Sequence, residues 1–394
     1  MMKQIPVYNK SVFSTKSLAS GLQLYKDLSA LGDVIYLKKD KVYAVTSYAA
    51  HMEVLNDPET FTAAQGVALN KQANEVPEAK VSVLMSEGDE QRKRKAWYMK
   101  PITQRKLKDI KDNISESCEN MVQDLAKKNE IEVVKDFAAH IPLEIVSKMI
   151  GYPEKGSKKL LDWAFATFNT FGPNNLRTLK SLPGLIFGLS KYSRTLNKDN
   201  VLPGSWSHAT FKAIEEGKLG EDEGRAIVMG YAIPSLDTTI QSATSMFELL
   251  AKHPEKFNEI KENPDLIRGV VNEAIRLSSP VRGFSRVITK DTEVAGYQLE
   301  KDKRVLMLWS CANRDPKKYP NPDEFDIHRN PEDHLGWGYG NHRCAGEHLA
   351  RLEMEELLKA LCKHASKLEV SNSEPFLNNT LQGYKSMSGK IIPA

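Results

Sequence analysis

The feature that most constrains this chain is the loop His334-Leu335-Gly336-Trp337-Gly338-Tyr339-Gly340-Asn341-His342-Arg343-Cys344-Ala345-Gly346, which runs straight into the helical segment EHLARLEMEELLKALCKH. Glycines stand six and four positions before the cysteine and two after it. Such spacing lets a backbone fold tightly against a flat object while its N–H groups turn toward one sulfur. The helix is expected to start at the cysteine itself, where its partial positive charge and a bound metal cation together favour thiolate over thiol. Two readings suit the pattern. One is a Gly-rich turn ahead of a helix, with a buried structural cysteine. The other is a planar iron macrocycle on a single axial thiolate, since haem iron takes such a ligand and the thiolate pushes electron density toward O–O cleavage. The glycines and His342 at fixed offsets from Cys344 favour the second.

Composition narrows the class around that loop. The chain has 394 residues, 41% of them hydrophobic, with 55 Lys and Arg against 51 Asp and Glu. That is enough for a sizeable core, and the small positive balance lacks the footprint of a dedicated nucleic-acid binder. Cys118, Cys311, Cys344 and Cys362 form no C-x-x-C pair, which argues against a zinc ribbon and against a disulfide framework. No apolar run of about 18 residues could span a bilayer, and the N-terminus lacks a signal-type apolar stretch. A soluble, cytoplasmic, unanchored protein is expected. No repeat, low-complexity tract or Gly/Ser linker divides the sequence, so residues 1–394 read as one domain, mainly α with a small β-rich region.

Periodicity locates the elements. Residues 33–47 read as a hairpin around a Lys-Lys-Asp-Lys turn. Helical spacing of apolar residues recurs near 89–98, 104–127, 143–151, 156–171, 207–217, 221–252, 264–277 and 345–364. A second β-rich stretch covers 284–309, and weak strand signals lie at 366–371 and 381–393. Pro234 falls inside the segment 221–252; it removes one N–H and predicts a kink that frees a carbonyl near Gly230 for water or a hydroxyl.

The loop Trp-Gly-Tyr-Gly-Asn-His-Arg-Cys-Ala-Gly resembles the Phe-Gly-x-Gly-x-His-x-Cys-x-Gly loop of the cytochrome P450 family, the haem-thiolate monooxygenases, and the resemblance extends over nearly the whole chain. It implies the single-domain cytochrome P450 fold and haem b, with Cys344 as iron ligand and Gly338 and Gly346 as loop positions against the macrocycle. Trp337 departs from the usual Phe; its indole adds an N–H donor, which predicts some tuning of the sulfur or of the reduction potential. The resemblance also implies that Arg329 joins Glu273 and Arg276 of the E-x-x-R helix in a structural triad without a catalytic step. Arg286, six after Pro280, and His342 would meet the haem propionates. A third contact normally comes from a His-x-x-x-Arg pair; Arg94 fits its second position, but Glu90 stands at the first, with Arg92, Trp97 or Tyr98 as substitutes.

Asp237-Thr238 resembles the acid–alcohol pair that delivers protons to dioxygen, with Ser235 where Gly is usual. The implied chemistry is reductive dioxygen activation and hydroxylation of a bound C–H; hydroxylation beside an ether oxygen gives a hemiacetal that collapses, hence O-dealkylation. The pocket is expected from Val67, Leu69, Phe168, Phe171, Ile233, Ser235 and Phe284, which suggest a small apolar, aromatic guest. Phe-Asn-x-Phe-Gly-Pro and Leu-Asn-Asn-Thr-Leu look like bacterial members that demethylate alkoxybenzoates. Those members hold the carboxylate with Arg and Ser on the oxygen-side helix, where this chain has Met229, Gly230 and Ile233. An uncharged guest is therefore expected, with Arg282 as the residue that would restore the anion reading.

No flavin or iron–sulfur signature is present, so electrons are expected from a separate ferredoxin or flavodoxin with its reductase. Lys100, Arg105, Lys106, Lys108, Lys111 and Arg343 form a candidate basic face for it. The expected partners are that donor, dioxygen and a small molecule, with no nucleic acid and no membrane, in a monomer. Two alternatives stand beside this reading: a peroxide-driven haem-thiolate hydroxylase, against which the Asp-Thr pair argues, and a haem-binding sensor or carrier.

Overall fold

The segment after the cysteine forms a helix over Glu347–His364. It contains no β-branched residue, glycine or proline, so no position resists helical rotamers. Leu349, Met354, Leu357, Leu358 and Leu361 are buried in the largest hydrophobic cluster, and the helix packs along Gln104–Ala126. A computed structural model describes residues 3–394 and gives a mainly helical architecture with three separate small sheets. Among the described residues no helix is long and apolar enough to cross a membrane.

Two details of the helices differ from the sequence reading. Helical bonding after the loop begins at Glu347 rather than at Cys344. The Cys344 N–H donates to the Trp337 carbonyl at 2.7 Å, so the cysteine's own amide closes the loop instead of opening the helix. The segment 221–252 is broken rather than merely kinked, into Glu221–Ala232 and Asp237–Lys252. Pro234 supplies no N–H, and the Gly230 carbonyl it leaves free accepts instead from the Tyr98 hydroxyl at 2.7 Å. Ser235 Oγ donates to the Tyr231 carbonyl and Thr238 Oγ1 to the Pro234 carbonyl, so side-chain hydroxyls bridge the gap. Helices also form over Leu22–Ser29, Tyr48–Leu55, Leu176–Pro183 and Pro254–Glu262, outside the segments whose periodicity predicts one.

The predicted hairpin pairs Val34–Leu37 with Val42–Val45 antiparallel, with Tyr36 opposite Tyr43. Arg304–Met307 then lies parallel to Val42–Val45 and antiparallel to Ser285–Ile288, within a six-stranded sheet. Alternate residues point to opposite faces. Val34, Tyr43, Val45 and Met307 accordingly join one apolar cluster, while Ile35, Val42, Ala44 and Leu306 join another. Gly283 precedes the Ser285 strand; a Cβ there would stand 1.8 Å from the Met307 carbonyl oxygen, so only glycine permits the crossing. The chain closes with Ala365–Pro375 paired antiparallel to Tyr384–Pro393.

Candidate active site

The broken helix, the cysteine loop, the start of the cysteine helix and the Ser285–Ile288 strand enclose a cavity of ≈ 350 Å³. Cys344 lines it. Its surface is exposed, yet the residue lies deep within the protein, because what it exposes faces this cavity rather than bulk solvent. Gly338 adopts φ +70, a left-handed conformation open to glycine, which turns the loop back along the cavity. Burial pushes the Cys344 thiol up, and the Gly346 N–H only partly opposes it. Burial thus works against a thiolate here, and a coordinated metal, which deprotonates a thiol outright, would supply what the loop does not.

The cavity also presents a buried cation without an anion. Arg286 lines it, donates only to the Ser285 carbonyl at 3.1 Å, and makes no ion pair among the described residues. Burial drags its guanidinium down to about 10, while Glu87 pulls the other way. An arginine so placed lacks the carboxylate it is shaped to grip, which fits a haem propionate. His342 also lines the cavity, with Nε2 at 3.1 Å from Glu87 Oε2.

Arg94 is not at this cavity. Its Nε donates to Glu223 Oε1 at 3.1 Å and its Nη2 lies 3.5 Å from Glu90 Oε2. The helix Gly88–Met99 presents Gln91, Lys95 and Tyr98, an i, i+4, i+7 stripe, toward the loop and cavity instead. Gln91 Nε2 and Lys95 Nζ both donate to the Asn341 carbonyl at 2.7 Å, and Lys95 also reaches the Arg343 carbonyl at 3.0 Å. The four-residue spacing sought at Glu90 and Arg94 therefore falls one position later. Arg92 pairs with Asp89 and Trp97 lies under the Lys100 ammonium, so of the substitutes considered only Tyr98 faces the cavity.

On the broken helix Thr238 and Ser235 line the cavity. Asp237 is 6% exposed, with Oδ2 lacking any partner. Burial, and secondarily Asp162, push its carboxyl up to about 7. Phe168, Phe171, Ile233 and Phe284 line the cavity, but Val67 and Leu69 do not. Leu69 N–H donates to the Phe171 carbonyl and the Val67 carbonyl accepts from Ser285 N–H. These bonds turn both side chains into a separate small cleft on the other side of Phe171 and Phe284, lined also by Val12 and Tyr25.

Below the loop, Glu273 and Arg276 are 0% exposed and joined by two bonds of 2.7 Å. Arg329 Nε reaches Glu273 Oε1 at 3.2 Å. Arg276 also donates to the Asn313 and Pro322 carbonyls, and Asn313 Oδ1 accepts from Leu335 N–H at 2.7 Å. The ion-pair cluster is thereby tied directly to the cysteine loop. Glu353, one turn and a half into the cysteine helix, lines the cavity with a buried, unpartnered Oε2; burial pushes its carboxyl up to about 8. Nothing in its amphipathic sequence context separates it from an ordinary solvated glutamate.

A deep cavity floored by one cysteine sulfur and bordered by an unpaired arginine defines a haem-thiolate enzyme. A cytochrome P450 family model matches residues 206–380. The chain is 31% identical over 370 residues to cytochrome P450 CYP199A2 of Rhodopseudomonas palustris, spanning 93% of this chain and 90% of that protein. It is 29% identical over 282 residues to the biotin biosynthesis cytochrome P450 of Bacillus subtilis, spanning 69% and 70%. The crystal structure of CYP109E1 from Bacillus megaterium in complex with testosterone shares the fold, with a TM-score of 0.85 at 20% identity over 96% of this chain and 99% of that one. This chain belongs to the cytochrome P450 family: it is a monooxygenase with haem b as cofactor, supplied with electrons by a redox partner. When bound, the haem supplies reductive activation of dioxygen.

Proposed function

We propose that residues 1–394 act as one haem-thiolate monooxygenase domain, a cytoplasmic monomer that hydroxylates or O-dealkylates a small, uncharged, apolar aromatic substrate. In this reading Cys344 would hold the haem iron through its sulfur, with Gly346 beside that sulfur and Gly338 turning the loop. Arg286, His342 and Lys95 serve the propionates, and Glu273, Arg276 and Arg329 brace the loop. Thr238, which lines the cavity, would offer its hydroxyl to the bound dioxygen, and Asp237, buried next to it in sequence and raised to about 7, would hold the proton to be relayed.

One observation carries the substrate class. Phe168, Phe171 and Phe284 form a chain of edge-on rings, with centroids 6.0 and 5.8 Å apart, beside Ile233. The basic side chains that line the same cavity, Lys95, Arg286, His342 and Arg343, gather at the cysteine loop. Arg282, the residue that would have restored a benzoate reading, is buried elsewhere: it donates to Tyr25 Oη, Gln382 Oε1 and the Leu381 carbonyl. A substrate carboxylate finds no counter-ion in this aromatic wall.

Electrons are proposed to come from a separate ferredoxin or flavodoxin with its reductase. Lys100, Arg105, Lys106, Lys108 and Lys111 are exposed, which supports an acidic partner, whereas Arg343 is held by Glu347 at 2.6 and 2.9 Å and offers less. The test is a screen of aromatic ethers, alkylphenols, alkoxybenzoates and fatty acids for the low- to high-spin Soret shift, followed by turnover with a ferredoxin system. Neutral aromatics should give the shift and a hydroxylated or dealkylated product. Shifts confined to benzoates or fatty acids overturn the substrate class; binding without turnover favours a sensor.

A further inference from the structure

Two carboxylates line the large cavity: Glu353 on the cysteine helix and Glu78 on the short helix Pro77–Lys80. Glu78 belongs to a wall distinct from the cysteine loop, because its helix packs on Glu221–Ala232. The side chain is 6% exposed. Its Oε1 accepts from Arg194 Nε at 3.0 Å. Among the described residues the only other donor is Ser190 Oγ, 3.5 Å from both oxygens, beyond the 2.5–3.0 Å range of an O–H···O bond. An ionised carboxylate offers about four lone-pair sites, and this one has one good donor. Arg194 itself is 58% exposed and holds Glu78 from the solvent side. The acceptor capacity left over is on a buried group that lines the cavity, to which Phe168, Phe171, Leu185 and Ile227 add side chains that donate nothing. Burying acceptor capacity without a donor is unfavourable, and a guest that brings the donor relieves it.

We propose that Glu78 is a specificity-determining residue that accepts a hydrogen bond from a hydroxyl of the substrate. This rests on the aromatic reading above and narrows it: the preferred guests are alkyl- or alkoxyphenols, held by the phenolic O–H at Glu78 while another carbon is presented for oxidation. A methyl ether at the same position has no proton to donate, and a benzoate sets one carboxylate against another. Discrimination of this kind is large, because a site built to bond a hydroxyl leaves its own acceptor unpaired when the hydroxyl is missing.

The test uses 4-ethylphenol, 4-ethylanisole and 4-ethylbenzoate as probes. Each is titrated into the haem-loaded wild type, Glu78→Leu and Arg194→Gln, and the spin-state shift is read as Kd. Wild type should bind the phenol about tenfold or more tighter than the anisole, and the benzoate weakest. Glu78→Leu should bring phenol and anisole to near parity. Arg194→Gln removes the ion pair and leaves the acceptor, so the phenol preference should persist. Should Glu78→Leu fail to load haem, Glu78→Gln replaces it and should show a reduced preference, an unreduced one counting against the idea. Equal binding of phenol and anisole by wild type, both with clear shifts, overturns the role of Glu78 and leaves the aromatic reading standing. Loss of the preference in Arg194→Gln as complete as in Glu78→Leu shows that the pair is only a strap between two elements. No shift with any of the three refutes the aromatic reading, and this inference with it.

Discussion

Replacing Asp237 by Asn tests whether the acid of the broken helix is a buried, uncompensated group. Its Oδ2 has no partner, and its carboxyl is raised to about 7 from an ordinary 3.8, first by burial and then by Asp162. The unfolded chain ionises near the ordinary value, while the folded protein keeps its proton up to about pH 7. Between those limits the folded state binds the extra proton, so stability falls as pH rises, by about 1.4 kcal/mol per unit, and is flat above the folded value. Over this window of about three units the loss is ~4 kcal/mol. Asn cannot ionise and matches neutral Asp in shape. The variant should therefore equal wild type near pH 4 and exceed it by up to ~4 kcal/mol above pH 7. With ~2.1 cal/mol/K per residue of unfolding entropy over 394 residues, that is about 5 °C in Tm. Thermal unfolding of both haem-loaded proteins from pH 4.5 to 8.5 measures it, and taking the difference removes Glu353 and every other group they share. A difference that is constant across pH, or that shrinks as pH rises, refutes the account of Asp237 as a buried acid without a counter-ion. Turnover should move the opposite way and fall by about 10²-fold, the usual contribution of a positioned proton donor.

Two further substitutions probe neighbouring groups. Thr238→Ala removes a cavity-lining hydroxyl that otherwise donates to the Pro234 carbonyl; haem should load normally while most reducing equivalents emerge as hydrogen peroxide, and fully coupled product formation would contradict the proposed role. Trp337 Nε1 is buried without a partner, so Trp337→Phe should raise stability by about 1 kcal/mol in denaturant titration and shift the haem potential; an unchanged potential and ferrous–CO spectrum would end the idea that the indole tunes the sulfur.

What could be read from the sequence and what could not divides along a physical line. The cysteine loop was legible because its constraints are local: Gly338 needs a left-handed φ, and the Cys344 amide closes on Trp337 within the same loop. The Glu273–Arg276 pair was legible because three residues along a helix fix a neighbour. Residues whose destination depends on a distant partner were not. Arg282 and Arg286 stand four apart and share strand parity, yet only Arg286 reaches the large cavity. The regular strand begins at Ser285, past the close approach at Gly283, and Tyr25 and Gln382 capture Arg282 before it. The helix at 88–99 was foreseen, but its facing was not, because a one-residue change in register rotates the surface by about 100°. Glu223, far along the chain, claims Arg94, and the Asn341 and Arg343 carbonyls claim Lys95. Val67 and Leu69 follow the same rule, drawn from the cavity by bonds to Ser285 and Phe171. Glu78 is the extreme case: its acceptor capacity stays open because the partner that would fill it is no part of the chain. A sequence can mark such a residue only through the company it keeps after folding, and for Glu78 that company is one arginine on the solvent side and a cavity on the other.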